Sequence, residues 1–353
     1  MGKRQLKLQD NQDAIAEFNL ALEHDPSNIE AYYGRSEAYS ALEDYAAAIK
    51  DFNSILERQP NDPLAYMFRG YSYGQLQEYQ NAIADYSQVI QLRPDYAKAY
   101  YNRGTIYNQL EQYENAIADY TQGINLDPNY VEAYYNRGIA HNKLQAPQNA
   151  LADYTEVIRL KPEDAEAYYN RANTYNKIQE YQLALSDYNQ AISLNPKDIE
   201  AYYNRANTYN KIKEHQSAIA DYTQVISFNS RHAPTYYNRG TTYLACQEYQ
   251  NAIADFTVAI RLNPNYAEAY YNRGITYNKI KEYQNAIADH HRAIRLNPNY
   301  AEAYGNLGVV YQNLGEKRQA VKNLQQAAEL FQQQNNKNLY QYVLNKIEEM
   351  SAE

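Results

Sequence analysis

An all-α array of stacked two-helix units is the fold class the sequence predicts, on three observations. The first is a fixed period. Residues 97–130, AKAYYNRGTIYNQLEQYENAIADYTQGINLDPNY, return in frame 34 residues at a time: Ala165 opens AEAYYNRANTYNKIQEYQ and Ala267 opens AEAYYNRGITYNKIKEYQ. A period of that length marks units that cannot bury their apolar faces alone. The second is helical spacing inside each unit, numbered here with Ala97 as position 1. Apolar or small residues at positions 1, 3, 4, 8 and 11 (Ala97, Ala99, Tyr100, Gly104, Tyr107) make one helix, and Ala116, Ile117, Tyr120, Ile124 and Leu126 make a second. The third is punctuation. Asp127-Pro128, Asn263-Pro264 and Asn297-Pro298 close units, because proline disfavours helix in the residue before it and lacks a donor.

Small residues sit where helices must approach closely. Position 20 is Ala in every unit from Ala48 to Ala320, and position 8 is Gly, Ala or Ser, as at Gly104, Ala172 and Ser36. Together these residues form the signature of the tetratricopeptide repeat: an aromatic at 4, small at 8, aromatic at 11, Ala at 20, aromatic at 24 and Pro at 32. One unit shows them as Tyr168, Ala172, Tyr175, Ala184, Tyr188 and Pro196. The chain resembles that family over essentially its whole length. The resemblance implies antiparallel helix pairs stacked into a right-handed superhelical solenoid, with first helices lining a concave groove. The Tyr-rich wording, YYNRG then AIADY, resembles tetratricopeptide proteins common in cyanobacteria.

In chain order, residues 1–28 read as a partial repeat. They fit the frame only from position 7, with Ala14 at position 20, Phe18 at 24 and Pro26 at 32. The missing first turns predict a short capping element or a chain that continues upstream. They also predict under-covered apolar surface around Ile15 and Phe18, through which copies could self-associate as a homo-oligomer. Residues 29–334 hold nine tandem repeats. The first two are degenerate, with Gly34 and Phe68 where later units carry Asn; the units from Ala97 to Tyr300 are the regular body. Pro147 stands at position 17, where a first helical turn tolerates it. Ser230 replaces Pro at position 32, and Pro234 follows in the next unit. In the last unit Gly305, Leu307 and Asn323 replace Tyr, Arg and Asp. Residues 335–353 read as a capping helix with Leu339, Val343, Ile347 and Met350 on one face.

Composition is consistent with a solenoid. A chain with 42 tyrosines and no tryptophan must fill every position 4 with Tyr, and such side chains bury rings while keeping hydroxyls wet. One cysteine, Cys246, excludes an intramolecular disulfide and suits a reducing compartment. Neither a signal-peptide pattern nor a span of ~20 apolar residues occurs, so the expected location is cytoplasmic, without membrane insertion.

Position 7 is Arg in eight consecutive units, from Arg35 to Arg273, and position 23 is Asp in the same eight, from Asp51 to Asp289. Both change together in the ninth. The co-occurrence predicts an Arg–Asp bridge between helices, within a unit or to its neighbour, rather than an arginine ladder that reads phosphates.

Function should lie in the groove. The resemblance puts positions 2, 5, 6, 9, 12 and 13 on the concave face. Position 5 supplies Tyr101, Tyr135, Tyr169, Tyr203, Tyr237 and Tyr271. Position 6 supplies Asn102, Asn136, Asn170, Asn204, Asn238, Asn272 and Asn306. Lys143, Lys177, Lys211 and Lys279 stand at position 13, opposed at position 2 by Glu132, Glu166, Glu200 and Glu268. A carboxamide donates and accepts, so an Asn row can clamp the backbone of an extended peptide, and Tyr adds contact area at low entropy cost. The row is similar to the asparagine ladder of the protein O-GlcNAc transferase repeat domain. In a plainer reading, the asparagines satisfy inter-repeat contacts and the tyrosines pack between neighbours.

The carboxylate clamp that grips acidic chaperone tails is matched only in part. Position 5 carries Tyr, Met67 or Gly305 instead of lysine, and position 6 never offers a cation. Nucleic acid is disfavoured by a net charge of −9 and groove cations balanced by Glu. The chain has no Gly-rich phosphate loop, HExxH, CxxC or GxSxG, and its six histidines share no ligand spacing. His141 is expected to fill a core slot. The expected protein is therefore a non-catalytic, cofactor-free and metal-free scaffold for a protein or peptide segment. The alternative is a substrate-presenting arm of a larger, glycosyltransferase-like enzyme.

Overall fold

The structure is a computed structural model that describes residues 2–352, with side chains described for 10–350. Every element among them is an α-helix, and the 20 helices follow the 34-residue frame. A long α1 (Gly2–His24) precedes the pairs α2 (Ile29–Ala41) with α3 (Tyr45–Arg58) and α4 (Pro63–Gln75) with α5 (Tyr79–Leu92). The next pairs are α6 (Ala97–Gln109) with α7 (Tyr113–Leu126) and α8 (Val131–Lys143) with α9 (Pro147–Leu160). Then come α10 (Ala165–Lys177), α11 (Tyr181–Leu194), α12 (Ile199–Lys211), α13 (His215–Phe228), α14 (Ala233–Ala245) and α15 (Tyr249–Leu262). The series closes with α16 (Ala267–Lys279), α17 (Tyr283–Leu296), α18 (Ala301–Asn313), α19 (Lys317–Gln333) and α20 (Lys337–Ala352). The chain divides into two compact bodies, Met1–Ile178 and Gln179–Glu353.

Within each body a second helix packs on its own first helix and on the first helix of the next unit. First helices also touch one another, α4 with α6 and α6 with α8 in one body, α14 with α16 and α16 with α18 in the other. They therefore form the more tightly approached, inner layer of each body. The core is a chain of small clusters rather than one mass. One joins Met67, Ala82, Tyr86 and Val89 to Ala99 and Ile106 of the following unit, so neither unit closes its core alone. The alanines at position 20, from Ala48 to Ala320, are fully buried, because any larger side chain there would force the paired helices apart.

Helix starts use Asn28, Asp44, Asp62, Asp164 and Asp198, whose side chains accept from amides in the first turn. Pro147 opens α9 at its first position, as its missing donor allows. Asp127 ends α7 in extended backbone just before Pro128.

Three features depart from the sequence reading. Alpha-1 runs unbroken through the place where every other unit turns, and lacks a separate first helix. Phe18 therefore leans on the next unit: a Cβ at Gly34 would collide with its ring, which explains glycine in the asparagine row. Ile15 and Phe18 are both half-buried. On α20, Val343 and Met350 pack against Leu330 and Phe331 with Ile347 beside them, whereas Leu339 stays exposed. His141 lies half-buried 3.8 Å from Asp153, flanking the arginine layer instead of the apolar core.

The turn between paired helices places position 15 in the left-handed region, at Glu43, Gln77, Glu111, Gln145, Gln179, Lys213, Gln247 and Lys281 (φ 57–66°). Only the ninth unit uses glycine there, Gly315 at φ 79°. A side chain in this region costs roughly 1–2 kcal/mol, partly offset by the greater unfolded-state freedom of glycine. Lys213→Gly is therefore expected to raise stability by about 0.5–1 kcal/mol, measured as a higher urea midpoint. A drop in the midpoint would contradict this reading of the turn.

Candidate functional site: the first-helix face

Two polar layers recur with the repeat, one buried and one on the first helices. In the buried layer each guanidinium of Arg35, Arg69, Arg103, Arg137, Arg205, Arg239 and Arg273 grips its own unit's Asp through Nε and Nη2. The Arg69–Asp85 bonds are 2.8 and 2.7 Å, and the Arg239–Asp255 bonds 2.7 and 2.8 Å. Its Nη1 reaches back to position 25 of the preceding unit, as Arg69 to Asn53 at 2.6 Å and Arg239 to Thr223 at 2.8 Å. One side chain thus ties three helices. Tyr rings from positions 4 and 11 flank the cation: Arg239 lies 5.8 Å from both the Tyr236 and Tyr243 centroids. Burial opposes the charged form of Arg239, yet the hydrogen bonds and charge of Asp255 hold its pKa above the ordinary value. The fork is consumed within the protein, so these arginines do not offer it to phosphates. In the ninth unit Leu307 is fully buried instead, and Asn323 donates to the Gln319 carbonyl.

In the first-helix layer, asparagines and tyrosines found in the sequence meet across unit boundaries. Asn136 donates to the Tyr101 hydroxyl at 3.0 Å, Asn170 to Tyr135 at 2.7 Å, Asn238 to Tyr203 at 2.9 Å and Asn272 to Tyr237 at 3.0 Å. Asn306 donates to Tyr271 at 2.9 Å. The rings pack at a tilt on the tyrosine just before the next first helix, Tyr101 on Tyr130 at 5.0 Å and 36° and Tyr271 on Tyr300 at 4.8 Å and 37°. Burial pushes the Tyr271 phenol up to about 12, so it stays a neutral hydroxyl at ordinary pH. Tyr135 also donates to Glu166 at 2.6 Å. The amide of Asn170 is bonded a second time, to the Glu166 carbonyl, and that of Asn306 to the Glu302 carbonyl. The inter-repeat role of the row is therefore real. Where both N–H donors are engaged, as in Asn170, Asn238 and Asn306, the remaining capacity toward a partner is that of the carboxamide oxygen, which suits a backbone N–H donor.

Tyr169 and Asn204 hold the same positions on α10 and α12. Asn102 is the exception: position 5 before it is Met67, and its amide faces the sulfur at 3.8 Å. Lys143, Lys177, Lys211 and Lys279 are exposed final residues of their helices, where a cation complements the helix dipole. Lys211 also lies 5.4 Å from the Tyr181 ring centroid.

Spacing in the sequence did not reveal a cavity of about 560 Å³ among α2, α3, α4 and α6, walled by Phe52, Met67, Phe68, Leu64 and Tyr71. Its one signal was the irregular wording of those units. Among the described residues no group of His, Cys, Asp or Glu could hold a metal ion, and no helix is long and apolar enough to cross a membrane.

Comparisons with known proteins follow the same frame. Tetratricopeptide-repeat profiles match residues 1–63, 70–110, 104–145, 131–164, 165–198, 199–232, 240–281, 267–300 and 292–322. No curated protein sequence matches the chain. Among solved structures, the MamA protein is similar at 26% identity and a TM-score of 0.47, over 50% of this chain and 96% of its own. YrrB, described as a TPR protein with an unusual peptide-binding site, is similar at 23% identity and 0.47, over 54% of this chain and 97% of its own. The C-terminal part of a repeat protein from Cytophaga hutchinsonii is similar at 19% identity and 0.60, over 67% and 97%.

Proposed function

Because the chain belongs to the tetratricopeptide-repeat family, an interaction-scaffold fold, we propose that it binds an extended segment of a partner protein along its first-helix face, as an assembly scaffold without catalysis of its own. The observation that carries this reading is the Asn–Tyr row. The row is oriented by its own hydrogen bonds, and its carboxamides recur in successive units, a pattern that suits repeated contacts along an extended backbone. Exposed Glu132, Glu200 and Glu268 flank the row and favour donor-rich segments. The net charge of −9 and the consumed arginine forks argue against a nucleic-acid ligand.

The test is affinity capture from a lysate of the source organism, comparing the wild type with the combined variant Asn136→Ala, Asn170→Ala and Asn204→Ala, after circular dichroism has shown equal helicity. A protein retained by the wild type and lost by the variant is the expected result. Equal capture by both would mean the asparagines serve only the contacts between repeats, and would refute the groove as the binding face.

A further inference from the structure

The first three first helices break the polar pattern of the groove in one place. At positions 2, 6 and 9 of the unit opening at Pro63 stand Leu64, Phe68 and Tyr71, exposed at 51%, 48% and 46%. The regular units carry chiefly Glu, Asn and small or β-branched residues there. Phe68 stacks on the buried Phe52 ring at 6.1 Å and 19°, forming one wall of the 560 Å³ cavity. Its rim carries Glu37 and Ser40 from α2 on one side, Lys98 and Asn102 from α6 on the other. An apolar concavity of this size with a few polar groups at its edge has the build of a ligand site. A contiguous apolar patch on a soluble protein marks an interaction surface.

The rim is divided in charge, with the Glu37 carboxylate on the α2 side and the Lys98 ammonium on the α6 side. Position 2 is Glu in most units, and Lys98 is the one cation in that row. We propose that this cavity takes a bulky apolar side chain of an extended partner peptide whose adjacent residue is a carboxylate, read by Lys98. The proposal rests on the groove reading above and names its anchor. Leu64 and Phe68 enclose the apolar side chain. Asn102, whose amide faces the Met67 thioether and also reaches the Tyr86 phenol, lies at the same rim for the peptide backbone.

The probe is a short fluorescein-labelled Ser/Gly peptide carrying Leu-Phe-Asp-Glu at its centre, with Leu-Phe-Lys-Arg and plain Ser/Gly peptides as comparisons, read by anisotropy on the full chain. The acidic peptide should bind about tenfold tighter than the plain one. Phe68→Asn and Leu64→Glu, which install the array's own residues and so leave its helices intact, should remove that gain. Lys98→Glu should reverse the preference between acidic and basic peptides, a swing of about three- to tenfold. Equal binding of the acidic and plain peptides, or a preference unmoved by Lys98→Glu, would overturn the proposal. A concentration-dependent dimer abolished by Phe68→Asn would also overturn it, by making a second copy the occupant. Capture that is lost in the triple asparagine variant but unaffected by Phe68→Asn would refute this anchor while leaving the groove reading intact.

Discussion

Arg239→Ala is expected to lower the stability of the units around α14 and α15 by about 3–5 kcal/mol, because it strands Asp255 in the interior without its partner. Asp255 is only 5% exposed, so water cannot replace the lost fork. Loss of the guanidinium also removes the bond that Thr223 accepts, leaving its hydroxyl only the bond it donates to the Ile219 carbonyl, and uncovers two Tyr faces. The ninth unit shows how the array manages without the pair: it places Leu307 and Asn323 there together. The double variant Arg239→Leu with Asp255→Asn should therefore recover most of the loss, since no buried charge remains. Because repeat arrays can unfold in parts, amide exchange over α13–α16 is the appropriate readout, alongside the denaturation midpoint. Equal stability of Arg239→Ala and the wild type would show that the bridge is solvated and adds little.

The second large effect concerns His290, which fills the aromatic slot at position 24. It is fully buried beneath Gly274, and neither ring nitrogen has a hydrogen-bond partner. Unpaired buried polar atoms cost about 1–3 kcal/mol. Tyr occupies this slot over glycine in other units, as Tyr120 does over Gly104. His290→Tyr should therefore stabilise α16–α17 by a similar amount at neutral pH. Burial lowers the His290 pKa from 6.5 to about 3. Above pH 6.5 the imidazole is neutral in both folded and unfolded chains and contributes no pH dependence. Below it the unfolded chain binds a proton that the folded chain refuses, so stability falls at about 1.36 kcal/mol per pH unit until about pH 3. Between pH 6.5 and 5 the wild type should lose about 2 kcal/mol that His290→Tyr retains. Parallel acid profiles for the two proteins, followed by urea titration, would contradict the buried neutral imidazole.

The parts legible in the sequence were those written at fixed spacing. The 34-residue period gave the helix pairs, and Asp-Pro or Asn-Pro gave their ends. The joint appearance and disappearance of Arg at 7 and Asp at 23 gave a bridge that the structure closes within each pair it describes, such as Arg205–Asp221. What stayed hidden depended on three-dimensional neighbours. In eight units the left-handed turn carries Gln, Glu or Lys, so glycine announces it only at Gly315. The unbroken α1 was masked because its residues still match the second-helix pattern. The asparagine row was visible, but its commitment to tyrosine hydroxyls was not, because donor and acceptor lie 35 residues apart and meet only when units stack. The apolar cavity is assembled from four separate helices, and its residues looked like simple degeneracy.

The central claim is that a partner segment lies along the first helices. Hydrogen–deuterium exchange of the full chain with and without its captured partner tests that claim most directly. The account predicts new protection on α4, α6, α8, α12, α14 and α16, with the solvent faces of α5, α7, α13 and α15 unchanged. Protection confined to those second helices would contradict it.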